Sequence, residues 1–215
     1  MVAQTKHASL DEFLALPDDG NLHEYVRGEV RSMPPPKGQH GLVEIELLSA
    51  INRYLEHRAG QLGWVPGHGL RARRRLVGFV AGGVFGLQFS LPDDPHQVRG
   101  ADGVYVTPEQ YARVTWHEGQ YFPEVPPLVI EVISPSESAT DVNEKVQDYL
   151  AGGARRVWCI YAERQRVHIE DAEAPRRVLR RDDILTDEEL LPGFALPLSC
   201  LFESPDADET LPSDV

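Results

Sequence analysis

The sequence predicts an α/β (α+β) fold in which a mixed β-sheet is flanked by helices. Residues 128–133, LVIEVI, are almost entirely apolar and indicate a strand that is buried on both faces. A helical segment follows, and residues 154–161, ARRVWCIY, indicate a second apolar strand. This order is typical of a βαβ crossover, which joins two parallel strands through a helix. An amphipathic helix at residues 40–58, followed by several strands, adds further elements around the same sheet.

The N-terminal part of the chain predicts a short helix and a hairpin. Residues 9–16, SLDEFLAL, indicate a helix in which Ser9 is the N-cap and Glu12 completes a capping box. Residues 23–33 indicate a β-hairpin that turns at Gly28. The expected parts of the chain are an N-terminal helix and hairpin extension packed on the core (1–38), the core itself (39–202) and an acidic disordered tail (203–215).

The helix at residues 40–58 carries two polar side chains on its apolar stripe. The stripe consists of Val43, Leu47, Ala50, Ile51, Tyr54 and Leu55. His40 and Glu44 lie one turn apart near its N-terminal end, so both are expected to face inward. The candidate strands that follow are LGWVPG (62–67), the run around residues 76–80, VFGLQFSL (84–91) and ADGVYV (101–106). The glycine-rich residues 77–86 fit either a loop or a bulged hairpin tip.

A second helix follows the buried strand. It is predicted to start at Asp141, with Glu144 as its capping partner, and to end at Gly152–Gly153. On a helical projection Lys145 lies at the edge of the buried face, whereas Glu144 points to solvent. Lys145 can therefore lie along the sheet and reach towards the strand that carries Glu131.

Composition and charge limit the classes of function. The chain has 215 residues, of which 41% are hydrophobic, and it lacks an apolar run long enough for a membrane span. Its two cysteines have no metal-type spacing, and a cytoplasmic location is expected. The net charge of −13 argues against tight non-specific binding to nucleic acid. Two basic runs, RARRR (71–75) and RRVLRR (176–181), fit either solvated strand edges or local phosphate-binding surfaces.

Glu131 is the least expected residue of the apolar strand, because a buried carboxylate without a partner is unstable. Such a group is paired, protonated or bound to a metal. Asp102 opens another apolar strand, so two carboxylates and the ammonium group of Lys145 can meet at one edge of the sheet. Oxygen ligands of this kind suit Mg²⁺, with phosphate oxygens of a substrate completing the shell. The alternative is a buried ion pair between Glu131 and Lys145 that only fastens the helix to the sheet.

Several segments together resemble one family. The segment PPLVIEVISPSESATDVNEKVQDYLAGGARRVWCIY (126–161) closely resembles the core of the Uma2 family, also known as DUF820. Residues 10–51, LQFSLPDDPHQVRGADGVYV (87–106) and LLPGFALPLSCLF (190–202) are similar to its other characteristic segments. The family is an endonuclease branch of the PD-(D/E)XK superfamily. The resemblance therefore implies a restriction-endonuclease-like fold.

The resemblance also implies roles for individual residues. Asp102, Glu131 and the backbone carbonyl of Val132 would bind the metal, and Lys145, carried on the helix, would be the catalytic lysine. The superfamily places this lysine on the strand, at the position of Ile133 here. Ala101 stands where a proline is expected before the first acid, which removes a local backbone restraint.

Further residues form a second tier. His40 resembles a histidine of the family, and Glu24 resembles another recurrent position that also fits a structural role. Glu44 fits either the site or a partly buried acid that is paired with a base. The candidates for contact with the nucleic-acid backbone are Arg71, Arg73, Arg74 and Arg75.

Two hypotheses follow for the function. The first is an endonuclease that uses Mg²⁺, or Mn²⁺, to hydrolyse phosphodiester bonds in DNA, and that works as a homodimer. The second is the same fold with an impaired site, acting as a binding or assembly module, which the net charge and Ala101 favour. A metal-dependent phosphoesterase acting on small substrates is a third possibility.

Overall fold

A nine-stranded mixed sheet organises the computed structural model, which describes residues 4–17, 19–33, 38–115 and 120–202. Its strands are β1 (Gln4–His7), β2 (Leu22–Val26), β3 (Glu29–Met33), β4 (Phe79–Leu91), β5 (Asp94–Val106), β6 (Leu128–Val132), β7 (Arg156–Tyr161), β8 (Arg166–Asp171) and β9 (Arg177–Arg180). They are hydrogen-bonded in the order β1-β3-β2-β5-β6-β7-β8-β9, and β4 pairs with β5 outside this path. A separate two-stranded sheet contains β10 (Ile184–Asp187) and β11 (Leu191–Pro197).

Helices accompany the strands along the described part of the chain. They are α1 (Leu10–Leu14), α2 (Gln39–Gln61), α3 (Leu70–Val77), α4 (Pro108–Arg113), α5 (Ala139–Ala151) and α6 (Leu198–Leu201). The crossover β6-α5-β7 joins two parallel strands, in register from Leu128 opposite Arg156 to Val132 opposite Ile160. The other pairs of this sheet are antiparallel, which makes the sheet mixed and confirms the predicted fold class.

Two apolar cores lie on opposite faces of the sheet, and β6 contributes to both. Leu128, Ile130 and Val132 pack with α2 in one core, whereas Val129 and Ile133 pack with α5 in the other. Successive side chains of a strand point to opposite faces, so Glu131 belongs to the α5 face. This alternation decides which helix can supply a partner for the buried carboxylate.

The basic run RARRR is helical, which corrects the interpretation of this segment as a strand edge. Residues 71–75 lie within α3, and β4 begins only at Phe79. The candidate strand at residues 62–67 is also wrong, because this segment forms turns between α2 and α3. Arginine favours a helix over a strand, and the basic run contains no β-branched residue that would favour a strand.

The start of α5 differs from the prediction as well. Ser138, not Asp141, is the N-cap, and its hydroxyl accepts a hydrogen bond from the backbone N–H of Asp141. Glu144 is not a capping partner and does not point freely into solvent. It forms ion pairs with Arg27 and Arg31 of the N-terminal hairpin, at 2.7 and 2.9 Å. A local capping pattern could not reveal partners that lie more than a hundred residues away.

The predicted hairpin is present as β2 and β3, which turn at Arg27–Gly28. It joins the large sheet where Tyr25 of β2 pairs with Val98 of β5. The division at residue 38 stays a prediction, and the acidic tail at 203–215 lies outside the described residues. Across the residues that are described, no helix has the length and apolar character to cross a membrane.

Candidate active site

Glu131 is held by two side chains of α5. Its side chain is 3% exposed, and its Oε2 accepts a hydrogen bond from Nζ of Lys145 at 2.9 Å. Its Oε1 accepts a hydrogen bond from the hydroxyl of Tyr149 at 2.7 Å. Burial raises the pKa of Glu131 to about 7, and the nearby charge of Lys145 opposes this increase. Both oxygens of the carboxylate therefore have a partner within the protein.

Lys145 lies between two buried acids. In addition to Glu131, its Nζ contacts Oε1 of Glu24 at 3.5 Å and the carbonyl oxygen of Gly100 at 3.4 Å. Burial lowers the pKa of Lys145, but the carboxylates of Glu131 and Glu24 outweigh burial and hold the pKa well above its ordinary value. Lys145 is therefore a fixed positive charge at neutral pH.

Asp102 lies within β5, beside the residues that pair with β6, and its side chain reaches His40 of α2. Its Oδ2 accepts a hydrogen bond of 2.7 Å from the backbone N–H of Val132. Its Oδ1 lies 3.2 Å from Nε2 of His40. Ala101, which stands in place of the expected proline, is fully buried and pairs with Phe85 across β4 and β5. The sheet pairing and the Val132 N–H thus restrain Asp102 without a proline.

His40 and Glu44 of α2 meet Asp102. Each of the three residues has a potential ligand atom, and these atoms lie within 4.8 Å of one another. Burial lowers the pKa of His40, but the carboxylates of Asp102 and Glu44 outweigh burial and raise the pKa overall. Burial also raises the pKa of Glu44. Among the described residues, Nε2 of His40 is buried without a hydrogen-bond partner of ordinary geometry.

Two glycines allow α2 to approach the sheet closely enough to bring these groups together. A Cβ at Gly82 would lie 2.2 Å from the Leu48 side chain and 2.7 Å from the backbone oxygen of Asp102. A Cβ at Gly103 would also lie 2.7 Å from Leu48. The register of β4 and β5 shifts after Gly82, and Gly83 then donates its N–H to Oε1 of Glu44 at 2.7 Å. The bulge in the glycine-rich segment therefore orients Glu44.

Comparison with known proteins places this arrangement in a family. The Uma2 model, described as a putative restriction endonuclease, matches residues 10–199. The chain belongs to the Uma2 family. A putative nuclease of the same family (DUF820) from Anabaena variabilis, known from a crystal structure, is similar to it with a TM-score of 0.70 at 22% identity. The alignment covers 91% of this chain and 97% of that one, which confirms the restriction-endonuclease-like fold. No curated protein matches the chain.

In this Uma2 protein, Lys145 is connected through Glu24 to a network of further charged side chains. Arg99 contacts Oε2 of Glu24 at 3.0 Å and also forms an ion pair with Asp148. Arg27 of the N-terminal hairpin contacts Oδ1 of Asp148 at 2.9 Å, and Gln97 donates to its Oδ2 at 2.6 Å. Glu24, Lys145, Arg99 and Asp148 therefore connect the hairpin, β5 and α5 around the site.

Sequence reasoning missed part of this network. Tyr149 fits the apolar stripe of α5, so its hydroxyl was not expected to contact Glu131. Arg99 and Asp148 belong to no sequence motif that would have indicated a role in this network. Asp148 lies one turn after Glu144 and next to Tyr149, so an acid on the buried side of α5 was the available signal. Glu24 was a second-tier candidate that also fitted a structural role, and it contacts Lys145 at 3.5 Å.

The basic runs of this Uma2 protein differ in how much charge they expose. Arg73 is buried and forms an ion pair with Glu56 at 2.6 Å. The guanidinium group of Arg74 lies over the ring of Phe79, at 5.0 Å from its centre. Arg71 and Arg75 are exposed. The second run contains β9, whose backbone pairs with β8, and its arginines are exposed as a strand edge would require.

Proposed function

We propose that this protein is a metal-dependent nuclease that hydrolyses phosphodiester bonds in DNA. The observation that carries the proposal is that Asp102 meets His40 and Glu44, which could bind a metal, beside the strand in which Glu131 holds the ammonium group of Lys145. Asp102 lies beside His40 and Glu44 on one side, and its neighbour across the strand pair, Val132, directly follows Glu131. Membership of a family described as putative restriction endonucleases supports the same reading.

The residues present fit a divalent cation. Carboxylates and imidazole are common ligands of divalent metals, and the unpartnered Nε2 of His40 offers a lone pair in its neutral form. Two sets of metal ligands are considered, and Asp102 belongs to both. The resemblance implies Glu131 and the carbonyl of Val132 as its companions, whereas the geometry also offers His40 and Glu44. A bound cation would supply Lewis acidity at a phosphoryl oxygen.

Lys145 contributes a positive charge close to the scissile phosphate. Because its pKa is raised, it holds its proton at neutral pH and does not serve as a general base. Its ammonium group can donate a hydrogen bond to a phosphate oxygen and stabilise the negative charge that develops in the transition state. Glu131 and Glu24 hold the ammonium group in position from two sides.

The proposed substrate requires local attraction, because the net charge of −13 repels a polyanion. Arg71 and Arg75 are the exposed members of the RARRR run and are proposed to contact the phosphate backbone. Arg73 and Arg74, which were expected to act with them, already have partners in Glu56 and Phe79. The proposed contact therefore involves two arginines instead of four.

The test is a cleavage assay with matched variants. Purified protein is incubated with supercoiled plasmid, linear duplex DNA, single-stranded DNA and RNA, with Mg²⁺, Mn²⁺ or EDTA. Asp102→Asn and Lys145→Met are expected to lower the rate of DNA cleavage by about a hundredfold or more, while the exposed Lys6→Met is expected to match the wild type. Cleavage that survives in EDTA, or in Asp102→Asn, would rule out this metal-dependent nuclease.

A second candidate function is a binding or assembly module with an impaired site. The observation that favours it is that both oxygens of Glu131 are occupied by Lys145 and Tyr149. This alternative predicts binding of DNA without cleavage under every metal condition of the same assay. Cleavage of small phosphodiesters in place of DNA would instead support the third possibility, a metal-dependent phosphoesterase that acts on small substrates.

Two further expectations accompany the proposal. The protein is proposed to work as a homodimer in the cytoplasm, since two copies of the site can cut the two strands of a duplex in one binding event. Light scattering after size-exclusion chromatography measures the mass of the particle. A mass near 24.0 kDa would indicate a monomer, and twice that mass is expected.

A further inference from the structure

We propose that a cavity beside α5, at the carboxyl ends of β6 and β7, binds an unpaired nucleobase of the substrate, which stacks on Tyr161 and His168. This inference rests on the proposed function in taking nucleic acid as the substrate. It adds a binding site for a base to the candidate site for the phosphate. It also predicts that single-stranded DNA is bound in preference to an intact duplex.

The cavity lies where the parallel strands β6 and β7 end. Its volume is about 580 Å³, and it is lined by Ile133, directly after β6, and by Tyr161, the last residue of β7. The N–H of Ile133 donates to the carbonyl oxygen of Ile160 at 2.8 Å, so the strand pairing continues to the edge of the cavity. Sheets with parallel strands commonly bind ligands outside the carboxyl ends of those strands. The volume lies within the range of small-ligand sites.

One loop connects the cavity to the candidate active site. Glu137 lines the cavity, and its Oε2 accepts a hydrogen bond of 2.7 Å from the N–H of Ser134. Burial lowers the pKa of His40, and Glu137 is among the carboxylates that raise it, so the loop also lies near that histidine. Ile133 follows Glu131 by two residues, about 7 Å along the strand. A phosphate at the candidate site and a base in the cavity can therefore belong to the same or adjacent nucleotides.

Two rings form one wall of the cavity. The ring centres of Tyr161 and His168 lie 4.5 Å apart, with 45° between the ring planes. His168 pairs with Cys159 across β7 and β8, and Cys159 packs in the core on the α5 face, so both rings lie on that face. Both residues are partly exposed. Aromatic side chains of this kind stack on the unpaired bases of single-stranded nucleic acids.

The polar groups around the rings are available to a ligand. Among the residues that the structure describes, the hydroxyl of Tyr161, the ring nitrogens of His168 and the side-chain amide of Asn143 have no hydrogen-bond partner. Burial lowers the pKa of His168, and the charges of three nearby arginines lower it further. The imidazole is therefore neutral at neutral pH and offers one donor and one acceptor to the edge of a base.

Arginines supply positive charge at the rim of the cavity. Arg164 lies in a short 3₁₀ turn, Ala162–Arg164, between β7 and β8, and it is exposed. In the described part of the chain it forms no ion pair. Arg176, from the second basic run, also lines the cavity, but its Nε contacts Glu170 at 2.5 Å. Arg164 is therefore the better placed of the two to bind a phosphate of the nucleotide.

The position of the rings favours an unpaired base. In a duplex both faces of a base are covered by its neighbours, so the base must leave the stack before it can contact Tyr161. This costs free energy in a duplex, and least where the base is mismatched or already single-stranded. The cavity therefore predicts a preference for single-stranded DNA.

The experiment measures binding in EDTA, so that metal-dependent cleavage does not intervene. The full chain is titrated, by fluorescence anisotropy, against labelled single-stranded DNA, the same strand with abasic sites in place of its bases, and a blunt duplex. The wild type is expected to bind the single strand about tenfold more tightly than the abasic strand or the duplex, because only the single strand offers free bases for stacking.

Two substitutions of Tyr161 separate stacking from packing. Leucine fills much of the space of the ring without an aromatic face, so Tyr161→Leu is expected to weaken binding of the single strand about tenfold and to leave the abasic strand unaffected. Tyr161→Phe keeps the ring and should stay within about threefold of the wild type for both strands.

The arginine at the rim has a matched control. Arg164→Ala should weaken binding of the single strand and of the abasic strand by the same factor, because it contacts phosphate and not base. Arg177→Ala removes the same charge from the opposite face of the sheet, since Arg177 pairs with Ile169 of the α2 core. This control should match the wild type.

Photo-crosslinking of the wild type gives a readout that does not depend on the folding of a variant. Single-stranded DNA that carries iodouracil is irradiated with the protein, and the linked peptides are identified by mass spectrometry. Crosslinks are expected at Tyr161 or His168, since the base is proposed to stack on these rings.

Several results would overturn the inference. These are equal affinity for the normal and the abasic strand, equal effects of Tyr161→Leu and Tyr161→Phe, or crosslinks confined to residues outside the cavity. The outcome is separate from that of the cleavage assay. Base-dependent binding through Tyr161 without cleavage under any metal condition would leave the cavity assignment standing and reject the nuclease. Cleavage without any dependence of binding on bases would do the reverse.

Discussion

The hydroxyl of Tyr149 donates a hydrogen bond of 2.7 Å to Oε1 of Glu131, in the buried space between α5 and β6. This contact helps to explain how the carboxylate of Glu131 can be buried at the centre of β6, the most apolar strand. One oxygen of Glu131 is satisfied by Tyr149 and the other by Lys145, so the charge is compensated inside the protein. The pair of contacts also fixes α5 against the sheet at the candidate active site.

Removing the tyrosine hydroxyl tests the energetic value of that contact. Tyr149→Phe leaves Oε1 of Glu131 without its donor, and we expect the free energy of unfolding to fall by about 1–3 kcal/mol. Urea denaturation measures the change. The partly exposed Tyr161→Phe is the control and should stay within about 0.5 kcal/mol of the wild type. An equal effect of the two substitutions would show that the Glu131 contact contributes little.

Glu131→Gln tests the buried ion pair in the metal-free protein. The substitution leaves the ammonium group of Lys145 with Glu24 as its remaining carboxylate, and the cost of breaking a buried pair is about 3 kcal/mol. A thermal or urea melt in EDTA gives the value, with the exposed Glu46→Gln as the reference. A stability that is unchanged or increased would mean that repulsion between Glu131 and Asp102 dominates the apo protein.

Asp148 makes stability depend on pH in the acidic range. Burial raises its pKa, but hydrogen bonds from Arg27 and Arg99 outweigh burial, so the folded pKa lies below the ordinary value. The carboxylate therefore stabilises the fold above its unfolded pKa of about 3.9, and this contribution is lost as pH falls through the folded pKa.

Urea denaturation at a series of pH values from about 6 downwards follows this loss. In Asp148→Asn, the decrease of stability below the unfolded pKa should be shallower than in the wild type, and stability at neutral pH should be lower. The exposed Asp182→Asn is expected to keep the wild-type slope. Parallel curves for Asp148→Asn and the wild type would contradict the linkage.

The approach of α2 to the sheet depends on Gly82. A Cβ there would meet the backbone oxygen of Asp102 at 2.7 Å, so Gly82→Ala must displace α2 or β5. We expect a loss of about 1–3 kcal/mol in unfolding free energy and weaker Mn²⁺ binding, because His40 and Glu44 move away from Asp102. Calorimetry and urea denaturation measure both effects.

Gly60→Ala is the matched control for this substitution. Gly60 lies in α2 with open space around its Cβ direction. Alanine should stabilise the helix there by about 0.5–1 kcal/mol relative to glycine. If Gly82→Ala behaved like Gly60→Ala, close packing of α2 would not be what assembles the site.

The basic surface can be tested by comparing the two arginine runs. The double variant Arg71→Ala/Arg75→Ala is expected to weaken DNA binding and to lower the slope of log affinity against log salt by about 2. The double variant Arg177→Ala/Arg180→Ala removes the same charge from β9 and should leave the slope unchanged. Fluorescence anisotropy at several salt concentrations measures both. The opposite pattern would assign the DNA contact to β9.

The spacing of apolar and polar residues along the sequence was enough to predict β6, α5 and β7 at the centre of the fold. An apolar strand, a helix and a second apolar strand were enough to predict the parallel pair β6 and β7, because burial on both faces leaves a distinct composition. Helical spacing was enough to bring His40 and Glu44 inward and to direct Lys145 towards Glu131. These features depend on residues that are close in the chain.

Tertiary structure alone decided the partners of the buried charges. Glu24 and Arg99 are 75 residues apart, and Arg27 and Asp148 are 121 apart, yet both pairs are in contact. A buried charge is stable only beside an opposite charge or a hydrogen-bond partner, and the partner comes from whichever element the fold brings near. Local periodicity carries no information about such contacts. It therefore identified Glu131 as an anomaly, while the meeting of β5, β6, α2 and α5 determined what surrounds it.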